Sequence, residues 1–207
     1  MKIDWKKNDK ELYLPKTTPC VIDAPRHKFY TISGSGNPND DLFGEAIGAL
    51  YALSYGIKMM PKKGVTPEGY FEFTIYPLEG VWDLSEAARG SESFSKDELV
   101  YKIMIRQPDF VTQELARENL ENVKKSKPDL PLENAAFEEE GDGFSVQMLH
   151  VGSYDGEHIS FEKMEAFCAK NGLERTEKYH REIYLSDPRK TAVEKLKTVL
   201  RFQVKRI

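Results

Sequence analysis

Two cysteines in 207 residues are too few for a disulfide framework or a zinc site. Cys20 and Cys168 also stand far apart, and Cys168 falls in a helical pattern as a small core residue. No apolar run reaches the ~18 residues of a membrane span. The start, Met-Lys-Ile-Asp-Trp-Lys-Lys, lacks the apolar stretch of a signal peptide. The expected location is therefore the cytoplasm, with no membrane partner. An excess of positive charge is missing too: 30 Lys+Arg stand against 34 Asp+Glu, a formal net charge of −4. That balance argues against direct nucleic-acid binding, which favours a strongly basic face. There is no Gly-x-Ser-x-Gly elbow and no Cys/His nucleophile arrangement. Gly34-Ser-Gly-Asn is too short for a phosphate loop. The four histidines, His27, His150, His158 and His180, form no helical metal pair, although His150 and His158 could approach through a turn.

What is present is a chain 40% hydrophobic and 31% charged. It is long enough to bury one large core or two small ones. Residues 1–27 carry Pro15, Pro19 and Pro25 and show no sustained periodicity, so an extended surface segment is expected there. Lys28–Ile32 reads as a strand, and Asp40 or Asp41 can cap the helix that follows. In that helix Leu42, Phe43, Ala46, Ile47, Leu50 and Leu53 recur at helical spacing. Tyr70–Tyr76 and Leu99–Ile105 read as strands, with Pro77–Glu98 a long connection between them. Phe110–Val123 has a helical pattern. Lys124–Gly143, with two prolines, two glycines and the run Glu138-Glu139-Glu140, reads as a linker. Phe144–Val151 is then a strand. Ser160 can cap a helix that Asn171-Gly172 ends, and Tyr179–Leu185 and Leu196–Val204 are strands.

The order strand, helix, strand, strand thus occurs twice. Gly34-Ser35 matches Gly152-Ser153, Thr74-Ile75-Tyr76 matches Glu182-Ile183-Tyr184, and Gln107 matches Gln203, with the spacing shrinking stepwise. The longer loops of the first half account for that shrinkage. Two βαββ units predict an α+β fold: one mostly antiparallel eight-stranded sheet with helices on one face and a ligand groove between the repeats. The expected organisation is a single domain over residues 28–207. It consists of repeats 28–107 and 144–207 joined by a helix and linker at 108–143.

The segment Glu182-Ile183-Tyr184-Leu185-Ser186-Asp187-Pro188, followed by Thr191, Lys195-Leu196 and Thr198, resembles the C-terminal signature of GyrI-like small-molecule-binding domains. Pro67-Glu68-Gly69-Tyr70 and Pro77-Leu78-Glu79-Gly80-Val81-Trp82 resemble the stand-alone branch of that family. Some of its members hydrolyse cyclopropane-bearing alkylating compounds. The resemblance implies planar aromatic or cationic small-molecule ligands, no cofactor and no metal, and an acidic pocket residue at the place Glu182 holds. It leaves a homodimer open.

The residues point the same way. Period-two alternation puts His180, Glu182 and Tyr184 on one strand face, with Arg181, Ile183 and Leu185 on the other. If Ile183 and Leu185 face the helices, Glu182 faces the groove. A buried carboxylate there could attract a cation or act as a general base, and a structural salt bridge is the bland alternative. Trp82, Tyr76, Tyr154 and Tyr184 are candidate walls for a flat ligand. Tyr154 or Tyr184 is the candidate hydrogen-bond donor to substrate. Two functions are carried forward: a hydrolase using Glu182 and Tyr154, and a binder that sequesters ligands unchanged.

Overall fold

A computed structural model describes residues 2–89 and 95–207. Residues 90–94 of the expected Pro77–Glu98 connection lie outside the described residues. The elements run β1 (Lys2–Ile3), α1 (Trp5–Asn8), α2 (Lys10–Tyr13), β2 (Cys20–Ala24), β3 (His27–Ser35), α3 (Asp41–Lys58), β4 (Glu72–Phe73), β5 (Leu78–Leu84) and β6 (Leu99–Arg106). They continue with α4 (Gln113–Ser126), β7 (Ala135–Glu140), β8 (Gly143–Val151), α5 (Glu157–Lys170), β9 (Leu173–Arg175), β10 (His180–Tyr184) and β11 (Lys197–Arg206). The class is α+β and the sheet pairing is mostly antiparallel, as expected. The chain divides into two compact units.

The first unit comprises residues 1–4, 27–78 and 84–140. Its strand β3 pairs antiparallel with β6 on one side and β7 on the other. Helix α3 buries Phe43, Ala46, Ala49, Leu50, Leu53 and Ile57, most of the stripe its spacing predicts, but Leu42 is exposed and Ile47 half-buried. Asp40 holds the N-cap position but makes no side-chain cap bond. Two stretches differ from expectation. Of Tyr70–Tyr76 only Glu72–Phe73 is strand, paired in parallel with Lys2–Ile3. The strand lies instead at 78–84, inside the expected connection, where Leu78 and Trp82 are buried. Thr74–Tyr76 therefore does not match Glu182–Tyr184 strand for strand. The Glu138–Glu140 run is also no solvated linker. It forms β7, and Lys102 bridges Glu138 at 3.1 Å and Glu140 at 2.7 Å. Alternate carboxylates of a strand share one face, so one lysine can meet both.

The second unit comprises residues 5–26, 79–83 and 141–207, with strand order β2-β8-β11-β10-β5 and β9 paired to the far end of β11. Helix α5 packs against β8 and β9. Val146, Met148, Leu200 and Phe202 of the sheet meet Met164 and Cys168 of the helix. Gly172, at φ 63°, ends the helix in the left-handed region that glycine occupies without strain. Ser160 is not the cap: the helix begins three residues earlier, and the Ser160 hydroxyl lies 2.9 Å from His150 Nδ1.

The opposite sheet face carries charge. Arg181 and Arg201 lie directly across from each other on β10 and β11. Asp142 bridges them, 2.7 Å from Arg181 Nε and 3.1 Å from Arg201 Nη1. Arg181 also reaches Glu79 at 2.9 Å, and Tyr13 donates to Glu79. Arg201 donates to Gln147 and to the Leu12 carbonyl. The N-terminal segment is thus no loose extended strap. Short helices at 5–8 and 10–13 and strand β2 cover this network.

Burial alone would raise the Asp142 carboxyl pKa, but Arg181 and Arg201 outweigh that and hold it below the usual carboxylate range. A folded-state pKa below the unfolded one adds stability above the unfolded value of about 3.9. That stability is lost as pH falls through the folded value. Asp142→Asn should therefore cost about 3–5 kcal/mol, the scale for breaking a buried pair. The variant's acid unfolding limb should also be shallower than the parent's. Thermal melts from pH 2 to 7 check this, and parallel curves for the two proteins would remove Asp142 as the anchor.

Candidate functional site: a buried carboxyl pair

Antiparallel register decides which way Glu182 points. It pairs with Leu200, which pairs with Met148, and both of these contact α5. Directly paired residues project to the same side, so Glu182, with His180 and Tyr184, lies on the α5 face of the sheet. Ile183 lies on the other face with Arg181. The sequence premise that Ile183 would face the helices is thus reversed. The reason is Arg181, whose ion pairs require the opposite face.

Glu182 is 9% exposed and Glu157, the first residue of α5, is 7% exposed. His180 Nε2 stands 2.9 Å from Glu182 Oε1 and donates to it when protonated there. The His180 ring packs edge-on against Phe161 of α5, which fixes its plane. Trp82 Nε1 donates to the Tyr184 hydroxyl at 2.7 Å, and that hydroxyl in turn interacts with the Glu182 carboxylate. Trp82 is therefore a strand residue of β5, buried behind Tyr184, rather than a loop residue. Gly80 makes this packing feasible, since a Cβ there would stand 2.7 Å from Trp82 Nε1 and 3.3 Å from the Tyr184 hydroxyl. Tyr154, in a short 3-10 turn just before α5, is 39% exposed and meets the Tyr184 ring edge-on at 5.9 Å. Tyr76 belongs to the first unit, buried with the Arg106 guanidinium 4.5 Å from its ring centre.

The two carboxyl groups differ in environment. Burial, then the charge of Glu182 and a hydrogen-bonding interaction with it, push the Glu157 carboxyl up to about 10. Glu157 thus holds a proton at neutral pH, as expected when two carboxyls crowd one dry site. Burial, then the charges of Glu182, Glu157 and Asp187, raise the Tyr154 phenol to about 12. Burial and then Glu182 raise Tyr184 well above its ordinary value. Both tyrosines therefore stay protonated donors. Glu157 escaped the sequence reading because it sits on a helix, remote in sequence from Glu182. A Glu at the first helical position also has an ordinary explanation in the helix dipole. Among the described residues, Glu157, His180 and Glu182 each offer one ligand-type atom, all within 4.8 Å of one another, and could hold a metal ion. A separate open depression of about 520 Å³ is lined by Asp23, Arg26, Asp142, Phe144 and Gln203, and excludes Glu182.

These features define an α+β protein with a buried carboxyl pair set among aromatic side chains. The chain belongs to the GyrI-like family: the GyrI-like small molecule binding domain matches residues 17–205. A hydrolase from Listeria innocua is 36% identical over 99% of this chain and 100% of its own, with a TM-score of 0.91. A second structure described as a Listeria innocua hydrolase is 35% identical over 98% and 100%, at 0.88. An uncharacterized conserved protein from Listeria innocua is 38% identical over 98% and 100%, at 0.89. No curated protein sequence matches. Among the described residues no helix is long and apolar enough to cross a membrane.

The Glu157 proton sets a pH dependence. Its folded-state pKa lies above its unfolded value of about 4.3, so its contribution is intact below that value and is lost as pH rises toward 10. Glu157→Gln mimics the protonated form. The melting-temperature advantage of this variant over the parent should grow steadily from pH 5 to 9. A constant difference would show that Glu157 titrates normally.

Proposed function

We propose that this chain is a hydrolase that opens the strained ring of cyclopropane-bearing, electrophilic compounds, with Glu182 as general base. The observation that carries this reading is Glu182 itself: a buried carboxylate served by His180 and Tyr184, beside a second carboxyl that keeps its proton. The hydrolase descriptions of two relatives above 30% identity support it.

In the proposed step, Glu182 takes a proton from a water molecule as the water oxygen bonds to a ring carbon. The ring C–C bond breaks and its electron pair moves to the conjugated carbonyl oxygen. Tyr154 donates a hydrogen bond, then a proton, to that oxygen. It recovers its proton through Glu182, so water is added overall and nothing is oxidised or reduced. Tyr154, the exposed ring of the pair, meets the planar substrate, and Tyr184, held by Trp82 and Gly80, backs that ring edge-on. Fixing water, ring and donor together replaces an improbable encounter in solution, and a donor aimed at the developing oxyanion lowers the barrier.

Glu182→Gln should lower turnover of a cyclopropane-bearing alkylator ~10²-fold or more, and Tyr154→Phe should lower it ~10-fold or more. Melting temperatures of both variants should stay close to the parent's. Mass spectrometry for the water adduct provides the readout. Full activity in a folded Glu182→Gln would remove the catalytic assignment. The alternative function is sequestration of aromatic or cationic ligands. A rhodamine dye that quenches Trp82, together with an alkylator recovered unchanged, would establish it in place of hydrolysis.

A further inference from the structure

We propose that Glu157, His180 and Glu182 form a binding site for a first-row divalent cation such as Zn²⁺ or Mn²⁺. The first ground is geometric. One ligand-type atom from each residue lies within 4.8 Å of the others. Around a four-coordinate ion, donors at ~2.1 Å are ~3.4 Å apart. Side-chain movement of about an ångström, within rotamer adjustment, therefore closes the set. His180 Nε2 and Glu182 Oε1, at 2.9 Å, already lie within that separation.

The second ground is independent of that spacing. Glu157 Oε1 is buried and has no hydrogen-bond partner. A dry, unsatisfied carboxyl oxygen is costly, and a cation between the two carboxyls would satisfy it. Burial also separates this trio from the solvated acidic clusters common on protein surfaces.

The donor types narrow the ion. One imidazole with two carboxylates is softer than the all-oxygen shells of Ca²⁺ and Mg²⁺, and harder than thiolate sites. Three protein ligands leave at least one position for water or a ligand oxygen. Two carboxylates neutralise a dication, so the loaded site would no longer attract organic cations. It would accept oxygen donors instead. This inference goes beyond the hydrolase reading and does not depend on it.

Co²⁺ is a suitable probe because its visible absorption reports four- or five-coordination. Titrated into the full chain stripped with EDTA, it should give a visible band saturating at one equivalent, and Zn²⁺ should abolish the band. Glu157→Gln and His180→Gln should each weaken Co²⁺ binding ~10-fold or more, while His158→Gln, an exposed neighbour, should not. Metal-free melts establish that each variant is folded. The proposal is overturned if the folded parent gives no band at millimolar Co²⁺. It is equally overturned if folded Glu157→Gln and His180→Gln bind Co²⁺ as the parent does. Hydrolysis by the stripped chain is assayed separately, so failure of the base assignment and failure of the metal site give different results.

Discussion

The second unit is organised around one buried charge network, in which Asp142 holds Arg181 and Arg201 together and Glu79 completes the balance. Two arginines face each other across paired strands, an arrangement that is destabilising without a carboxylate between them. The network also acts on the opposite face. A strand alternates its side chains, so fixing Arg181 on one side places His180, Glu182 and Tyr184 on the other. A one-residue slip of β10 would set Glu182 against Asp142 and Arg181 against the apolar core of α5. Both outcomes bury uncompensated charge. The ion pairs therefore act as a register lock, the best-supported use of buried charge, and the site inherits its orientation from them.

On the α5 face two carboxyl groups meet different surroundings. Glu182 has donors around it, whereas Glu157 has a negative neighbour and an unpartnered oxygen. Burial and that negative neighbour keep the proton on Glu157 at neutral pH. The aromatic frame keeps these groups dry. Trp82 and Phe161 each brace a polar ring that touches Glu182, and Gly80 leaves the room this requires.

Much of this was legible beforehand. Most of the apolar stripe of α3 follows from periodicity, as do the strands expected at 28–32, 99–105, 144–151 and 196–204, which the structure places at 27–35, 99–106, 143–151 and 197–206. The errors have physical causes. Tyr70–Tyr76 alternates like a strand, yet its aromatics pack with Phe110 as a cluster, and only two residues pair in a sheet. The Glu138–Glu140 run looks like solvated chain because sequence alone does not reveal that Lys102 stands opposite. Ile183 looks like the residue that should meet a helix because hydrophobicity outranks charge in a periodic reading. Only the tertiary partners of Arg181 reverse it. Glu157 left no local signal at all, since its meaning depends on a strand 25 residues later.

The covering of the charge network by residues 5–26 bears on biosynthesis. Arg201 binds the Leu12 carbonyl, Gln147 binds that of Glu11, and β2 pairs along β8. Residues 5–26 thus find most of these partners far along the chain, on β8 and β11. Such remote pairings are slow to form and leave apolar surface waiting. The second unit can therefore complete its folding only once β11 has been made, while the first unit has its residues available some seventy residues earlier.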